Sequence, residues 1–176
     1  MPSENRPRVA VAALIVSAAT LVGIAANEGY TNDAIIPVKG DVPTYGFGET
    51  RGVRMGDTTT PVRALIRLEN SADGYAEGMR SCIDVPLYQR EFDAYLDFTY
   101  NVGTYAFCHS TLNRRLNARD YAGACHELLR WNRQGGRVLP GLTVRRQCLF
   151  ALCPITEGHD FLQQAPGFPF TDHMYA

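Results

Sequence analysis

The sequence predicts an α+β chain, mostly α-helical: a small β-rich lobe near the N-terminus, a helical lobe behind it, and an apolar helix ahead of both. Three observations carry this. Residues 9–26 form an eighteen-residue run without a charge, residues 27–60 are rich in Gly, Pro, Thr and β-branched residues, and helical periodicity takes over from Thr60. At 176 residues the chain is long enough for one sizeable core and short for two full domains.

The apolar run, VAVAALIVSAATLVGIAA, follows a polar start that includes Arg6 and Arg8. As a helix it would span roughly 27 Å, marginal for a bilayer core of about 30 Å. Arginines before it and none within it predict a cytoplasmic N-terminus and export of the rest. Ten of its residues are Ala, Gly, Ser or Thr, leaving eight large aliphatics. Methyl-sized side chains bury little apolar area, so such a segment can enter a membrane and later leave it. A cleaved signal peptide ending at Ala26 and a permanent anchor are the competing readings.

In residues 27–60, "AIIPV" and "PTYGFGE" predict short strands joined by turns at Lys39-Gly40-Asp41 and at 46–48. Thr60 is a predicted N-cap with Pro61 at the first helical position. "VPLYQREFDAYLDFTYNVG" places Leu87, Phe92, Tyr95, Leu96 and Phe98 at helical spacing, with Gly103 as the stop. "STLNRRLNARDYAGACHELLRW" predicts two short helices, the second opening near Asp120. "PGLTVRRQCLFALC" predicts one more, beginning after Gly141, and the Pro- and Gly-broken residues 154–176 predict an irregular tail.

Net charge is −1 and names no partner. Arg114, Arg115, Arg119, Arg130, Arg133, Arg137, Arg145 and Arg146 crowd into 33 residues, while Lys39 is the one lysine. Such an arginine face could meet an anionic polymer, or simply be solvated helix surface. Phosphate-loop, dinucleotide, zinc-protease and serine-elbow signatures are all missing. The adjacent pairs Cys108-His109 and Cys125-His126 offer a zinc reading, but no C-x-x-C with a matching partner pair supports it, and no metal or organic cofactor is expected.

The chemistry that remains is a carboxylate pair. Glu28 follows the apolar segment, where an apolar wall would favour its protonated form, and Asp41 sits in a polar Gly/Pro turn suited to an ionised group. Two acids of opposite tuning beside a cleft are the equipment of glycoside hydrolysis, and the Thr44 hydroxyl could hold a water. On spacing alone the pair is weak, since eighteen acids offer many such combinations.

Glu28-Gly29, a β-turn region and Thr44-Tyr45-Gly46-Phe47-Gly48 resemble the Glu-Gly … Thr-x-Gly-x-Gly signature of the phage-type lysozymes. "VPLYQREFDAYLDFTYNVGTYAF" is similar to the family's central buried helix, "STLNRRLN" to the segment after it, and "LLRWNRQGGRVLPGLTVRRQ" to its closing region. The likeness covers residues 26–153. It implies a lysozyme-like fold with a segment 1–26 and a lysozyme domain 27–176, divided into a β lobe 27–60, a helical lobe 61–153 and the tail. It implies a muramidase hydrolysing the β-1,4 bond between N-acetylmuramic acid and N-acetylglucosamine in peptidoglycan, for host lysis. The family's acid, aspartate and threonine fall on Glu28, Asp41 and Thr44. The gaps between them are twelve and two residues where the family has eight and five, so Asp33 is the alternative second carboxylate. Glu49 stands where the family has a histidine.

The N-terminus resembles the signal-anchor-release branch. That implies an uncleaved anchor, residues 9–26, in the host inner membrane, then release into the periplasm, with function coupled to a holin. The resemblance implies a monomer, with no nucleic-acid partner. A lytic transglycosylase using Glu28 alone, and a non-enzymatic anchored peptidoglycan-binding domain, are the alternatives. In an exported protein the five cysteines predict two bridges, Cys108 with Cys125 and Cys82 with Cys148 or Cys153.

Overall fold

The computed structural model describes residues 7–153. The first six residues and the predicted irregular tail, 154–176, lie outside the described residues.

The apolar run folds differently from a single helix. Val9 forms an antiparallel bridge with Leu87, its N–H and C=O both bonded at 2.9 and 2.8 Å, and a 3-10 turn follows at Val11–Ala13. Helix α1 is Ala18–Glu28. Ser17 opens it by accepting the N–H of Thr20 in its side chain, and Gly29, at φ 71°, closes it. The reason for the break is local: a capping serine satisfies an orphan N–H and lets the preceding residues extend along the domain. Among the described residues no helix is long and apolar enough to cross a membrane.

Strands β1 (Thr31–Ile35) and β2 (Thr44–Gly46) pair antiparallel, Thr31 with Gly46 and Ile35 with Thr44, with an irregularity between. The apolar residues expected to extend the first strand do not: Ile36 and Val38 are exposed, and Pro37 between them has no N–H to give a ladder. The lobe's own core is three side chains, Ala34, Tyr45 and Val53. It therefore leans on helix α2, Pro61–Arg80, capped by Thr60 with Pro61 in its first turn as expected. Gly46 shows how closely the two meet. At φ 59°, a Cβ there would lie 2.9 Å from the Cβ of Ala64, so only glycine fits.

Helix α3, Gln89–Val102, is the axis of the helical lobe and ends at Gly103. It packs against α1, α2, α4 (Thr104–Cys108) and α7 (Pro140–Ala151), so its residues 91–99 are all buried. Helices α5 (Thr111–Asn117) and α6 (Tyr121–Leu128) follow, Asp120 capping the second through the N–H of Gly123. A hairpin of β3 (Arg133–Gln134) and β4 (Arg137–Val138), absent from the sequence reading, turns at Gly135-Gly136 with φ 56° and 78°.

The disulfide expectation is corrected. Cys82 joins Cys108 and Cys125 joins Cys153, while Cys148 is free and buried. Cys108 closes α4 against the C-terminal end of α2, whereas Cys125 on α6 faces the end of α7. Helix α5 lies between them in sequence, so a seventeen-residue spacing says nothing about which face each thiol takes.

Candidate active site

The C-terminal turn of α1 is held from two sides. Ile24 is fully buried against Leu68 and Ala72 of α2, with Phe47 and Tyr100 packed around them. Asn27 Nδ2 donates to the carbonyl of Gly23 one turn back in the same helix at 2.9 Å and, across to α3, to Asp97 Oδ2 at 3.4 Å. Further back, Ser17 Oγ donates to Asp93 Oδ2 at 2.9 Å. Glu28 is the last residue of this helix, its side chain 27% exposed.

Two features surround the Glu28 carboxylate. Oε1 accepts a hydrogen bond from Arg145 Nη1 at 3.1 Å, and a Cβ on Gly48 would lie 3.8 Å from Oε2. Gly48 belongs to the turn in which Tyr45 and Glu49 exchange backbone hydrogen bonds. That turn forms one wall of an open cleft of ≈ 880 Å³; α2 contributes Arg67, Ser71 and Tyr75, and Tyr100 and Thr104 close the far side. The rings of Tyr75 and Tyr100 meet at 4.9 Å. Burial, then the negative charge of Glu28, pushes the Tyr100 phenol up to about 12, with Tyr75 and Glu49 adding to it.

Arg145 was read from the sequence as part of a basic face; the structure corrects this for it and for Arg146. Their side chains are buried, and Arg145 bridges two carboxylates, Asp97 Oδ1 to its Nε at 2.9 Å and Glu28 to its Nη1. Arg146 donates from Nε to the carbonyl of Trp131 at 3.0 Å and from Nη2 to Asn101 Oδ1, and lies over the Phe98 ring. Burial, then the charge of Arg145, lowers its guanidinium to about 10 despite Asp97. Burial likewise pushes the Asp97 carboxyl up, against the pull of Arg145. Nothing local in "TVRRQ" marks these arginines as interior, because the partners of Arg145 lie 48 and 117 residues away and those of Arg146 15 and 45.

The other expected residues sit apart from Glu28. Thr44 opens β2, half-buried, and its hydroxyl donates to the carbonyl of Val42 at 3.1 Å. Asp41 is exposed, its N–H bonded to the carbonyl of Val38 at 2.9 Å. Asp33 lies exposed on β1, bridged through its backbone to Thr58. No hydrogen bond or ion pair among the described residues joins Asp41, Asp33 or Thr44 to Glu28. Glu49, which stands where the family has a histidine, accepts the N–H of Arg51 at 2.6 Å. Sequence reasoning missed Asp97 and Tyr100 as neighbours of the acid, since only the packing of α1 across α3 brings them there, and it missed that the adjacent Asn27 ties the helix end to Asp97.

A small β lobe leaning on a helical lobe, with a helix-terminal glutamate at the edge of the cleft between them, defines a lysozyme-like glycosidase fold. Residues 25–148 match the phage lysozyme family, and the chain belongs to that family. It is a lytic enzyme of the endolysin kind, acting on peptidoglycan. It is similar to a SAR-endolysin of Enterobacteria phage PA-2, 31% identical over 87% of this chain and 97% of that protein. An endolysin of Acyrthosiphon pisum secondary endosymbiont phage 1 is 37% identical over 62% of this chain and 77% of its own length. Among solved structures, the endolysin from Escherichia coli O157:H7 phage FAHEc1 superposes with a TM-score of 0.73 at 27% identity, over 82% of this chain and 96% of that one.

Proposed function

We propose that Glu28 is the general acid that protonates the leaving oxygen of the β-1,4 bond between N-acetylmuramic acid and N-acetylglucosamine. Asp41, with the Thr44 hydroxyl, holds and activates a water on the opposite face of the sugar. The carrying observation is the setting of Glu28: it ends a helix, beside Gly48 of the cleft wall, with a carboxylate still partly open to solvent. An inverting reaction of this kind needs roughly 6.5–9.5 Å between the two carboxyls to admit the water. The test is hydrolysis of purified peptidoglycan: Glu28→Gln abolishes it with folding intact, and Asp41→Ala follows. Normal lysis by Glu28→Gln removes the acid. Products ending in 1,6-anhydro sugars, with Asp41→Ala fully active, would assign a transglycosylase instead.

We further propose that residues 1–26 act as a signal-anchor-release segment, with the N-terminus cytoplasmic, and that residues 27–176 are the lysozyme domain it delivers. The support is that Leu14 and Ile24 fill two separate clusters of the folded domain, so the same residues cannot also lie in lipid. While the segment is in the inner membrane, the helix that aims Glu28 is undocked and the acid is idle. Collapse of the membrane potential, as a holin would cause, lets the segment leave the bilayer for the periplasm and dock. Fractionation before and after dissipating the potential tests this: full-length protein moves from membrane to soluble periplasm, and a band shortened by the anchor would refute release without cleavage.

A further inference from the structure

Behind Glu28 lies a carboxylate that the reaction as proposed does not use. Asp97, in the middle of α3, has a side chain only 5% exposed, and its two oxygens are divided between two helices. Oδ1 accepts from Arg145 Nε on α7; Oδ2 accepts from Asn27 Nδ2 on α1. Asn27 is the residue before Glu28, and Arg145 is the cation that touches Glu28. The acid is thus gripped through its own backbone and through its own side chain, and both grips end on one buried group.

Resting on the reading of Glu28 as the acid, we propose that Asp97 is a positioning residue that fixes the Glu28 carboxylate from both sides, through Asn27 and Arg145. Three physical points support it. A buried ion pair is a poor device for stability alone, since an apolar replacement of similar shape is often neutral or better. Docking of α1 on α3 already has its own polar contact at the other end of α1, where the N-cap Ser17 meets Asp93, so Asp97 is not needed merely to attach the helix. Finally, the guanidinium is planar, so anchoring Nε on Asp97 sets the direction in which Nη1 points at Glu28. Arg145 Nη2 is buried without a partner, so among described contacts the fork is spent on these two carboxylates and nothing else.

The chemistry explains why aim matters. A general acid transfers its proton only when the carboxyl lies within hydrogen-bond reach of the leaving oxygen. Misplacement by about 1 Å costs on the order of 100-fold in rate. Asparagine at position 97 still accepts from Arg145 but turns an NH2 towards Asn27, so the grip on α1 is lost. Lysine at position 145 keeps the charge but cannot span both carboxylates.

The experiment measures initial rates of peptidoglycan hydrolysis across substrate concentrations for wild type, Asp97→Asn, Arg145→Lys and Asn27→Ala. Asp93→Asn is the control for helix docking, and Glu28→Gln runs in parallel. The expected result is a kcat lowered about 10- to 100-fold in Asp97→Asn and Arg145→Lys, with KM within about twofold. Asn27→Ala loses several-fold, and Asp93→Asn keeps its kcat although its melting temperature falls comparably. The proposal is overturned if Asp97→Asn stays within threefold of wild-type kcat, if its main effect is on KM, or if Asp93→Asn loses as much. Should Asp97→Asn fail to fold, Asn27→Ala at an exposed position decides by the same kcat criterion. Active Glu28→Gln sinks the acid assignment itself; inactive Glu28→Gln with active Asp97→Asn sinks only the positioning role.

Discussion

Arg8, the last charge before the apolar run, makes the most demanding test of how the N-terminal segment is held. Its guanidinium donates from Nε and Nη2 to the two oxygens of Glu91 at 2.9 and 2.7 Å. The Glu91 side chain is 1% exposed and that of Arg8 24%. Burial alone would depress the Arg8 pKa; the hydrogen-bonded charge of Glu91 outweighs it and holds Arg8 above its ordinary value. The guanidinium also lies 3.7 Å from the Tyr121 ring centre and 4.4 Å from that of Tyr88. Arg8→Met leaves Glu91 buried with, among the described residues, the N–H of Tyr88 as its remaining hydrogen bond. Removing one partner of a buried pair costs about 3–5 kcal/mol, and partial exposure of Arg8 favours the lower end. Loss of the ring contacts adds roughly 0.5–1 kcal/mol, for a total of about 4 kcal/mol. At about 2–4 °C per kcal/mol for a chain of this size, the melting temperature falls by roughly 8–16 °C. Adding Glu91→Gln removes the stranded charge yet keeps an acceptor for Tyr88, so the double variant recovers at least half of the loss. Urea and thermal unfolding of the soluble protein measure both. A loss under 1 kcal/mol, or single effects that simply add, would refute the argument.

Opening the Cys82–Cys108 bridge by double alanine substitution frees a loop of 26 residues; loop entropy sets the loss at about 3.5 kcal/mol, read by denaturant unfolding under non-reducing conditions. Cys148, buried and with its thiol pKa pushed up by burial, is alkylated by iodoacetamide only as fast as the protein unfolds; labelling of the native state at a free-thiol rate would contradict its position. Ile24→Ala removes a fully buried side chain from the α1–α2 contact and costs about 2–5 kcal/mol in thermal unfolding. For Tyr100, the folded pKa of about 12 lies above the unfolded value of 10.0, so the neutral phenol favours the folded state. That contribution is complete below pH 10 and is lost as pH rises towards 12, and Tyr100→Phe removes this part of the alkaline stability loss.

Much of the chain could be read without a structure, and always where the signal is short. Thr60-Pro61 opens α2, Gly103 closes α3 and Asp120 caps α6 because each acts on N–H or C=O groups within four residues of itself. The order of lobes and the position of Glu28 at a helix end follow from the same local signals, joined to the likeness of its motifs to a family. The expected strand through Pro37 failed because a β-branched pattern overstated what a residue lacking an N–H permits. What sequence could not supply are pairings between groups that choose each other only after the helices cross. Arg8 finds Glu91 across 83 residues, Arg145 finds Glu28 across 117, and Cys125 finds Cys153 while Cys148, nearer in sequence, stays free. Charge and thiol chemistry are the same for every arginine and cysteine in the chain. Which of them enter the interior is decided by the faces that α1, α3 and α7 present to one another, and that is a property of the packed molecule alone.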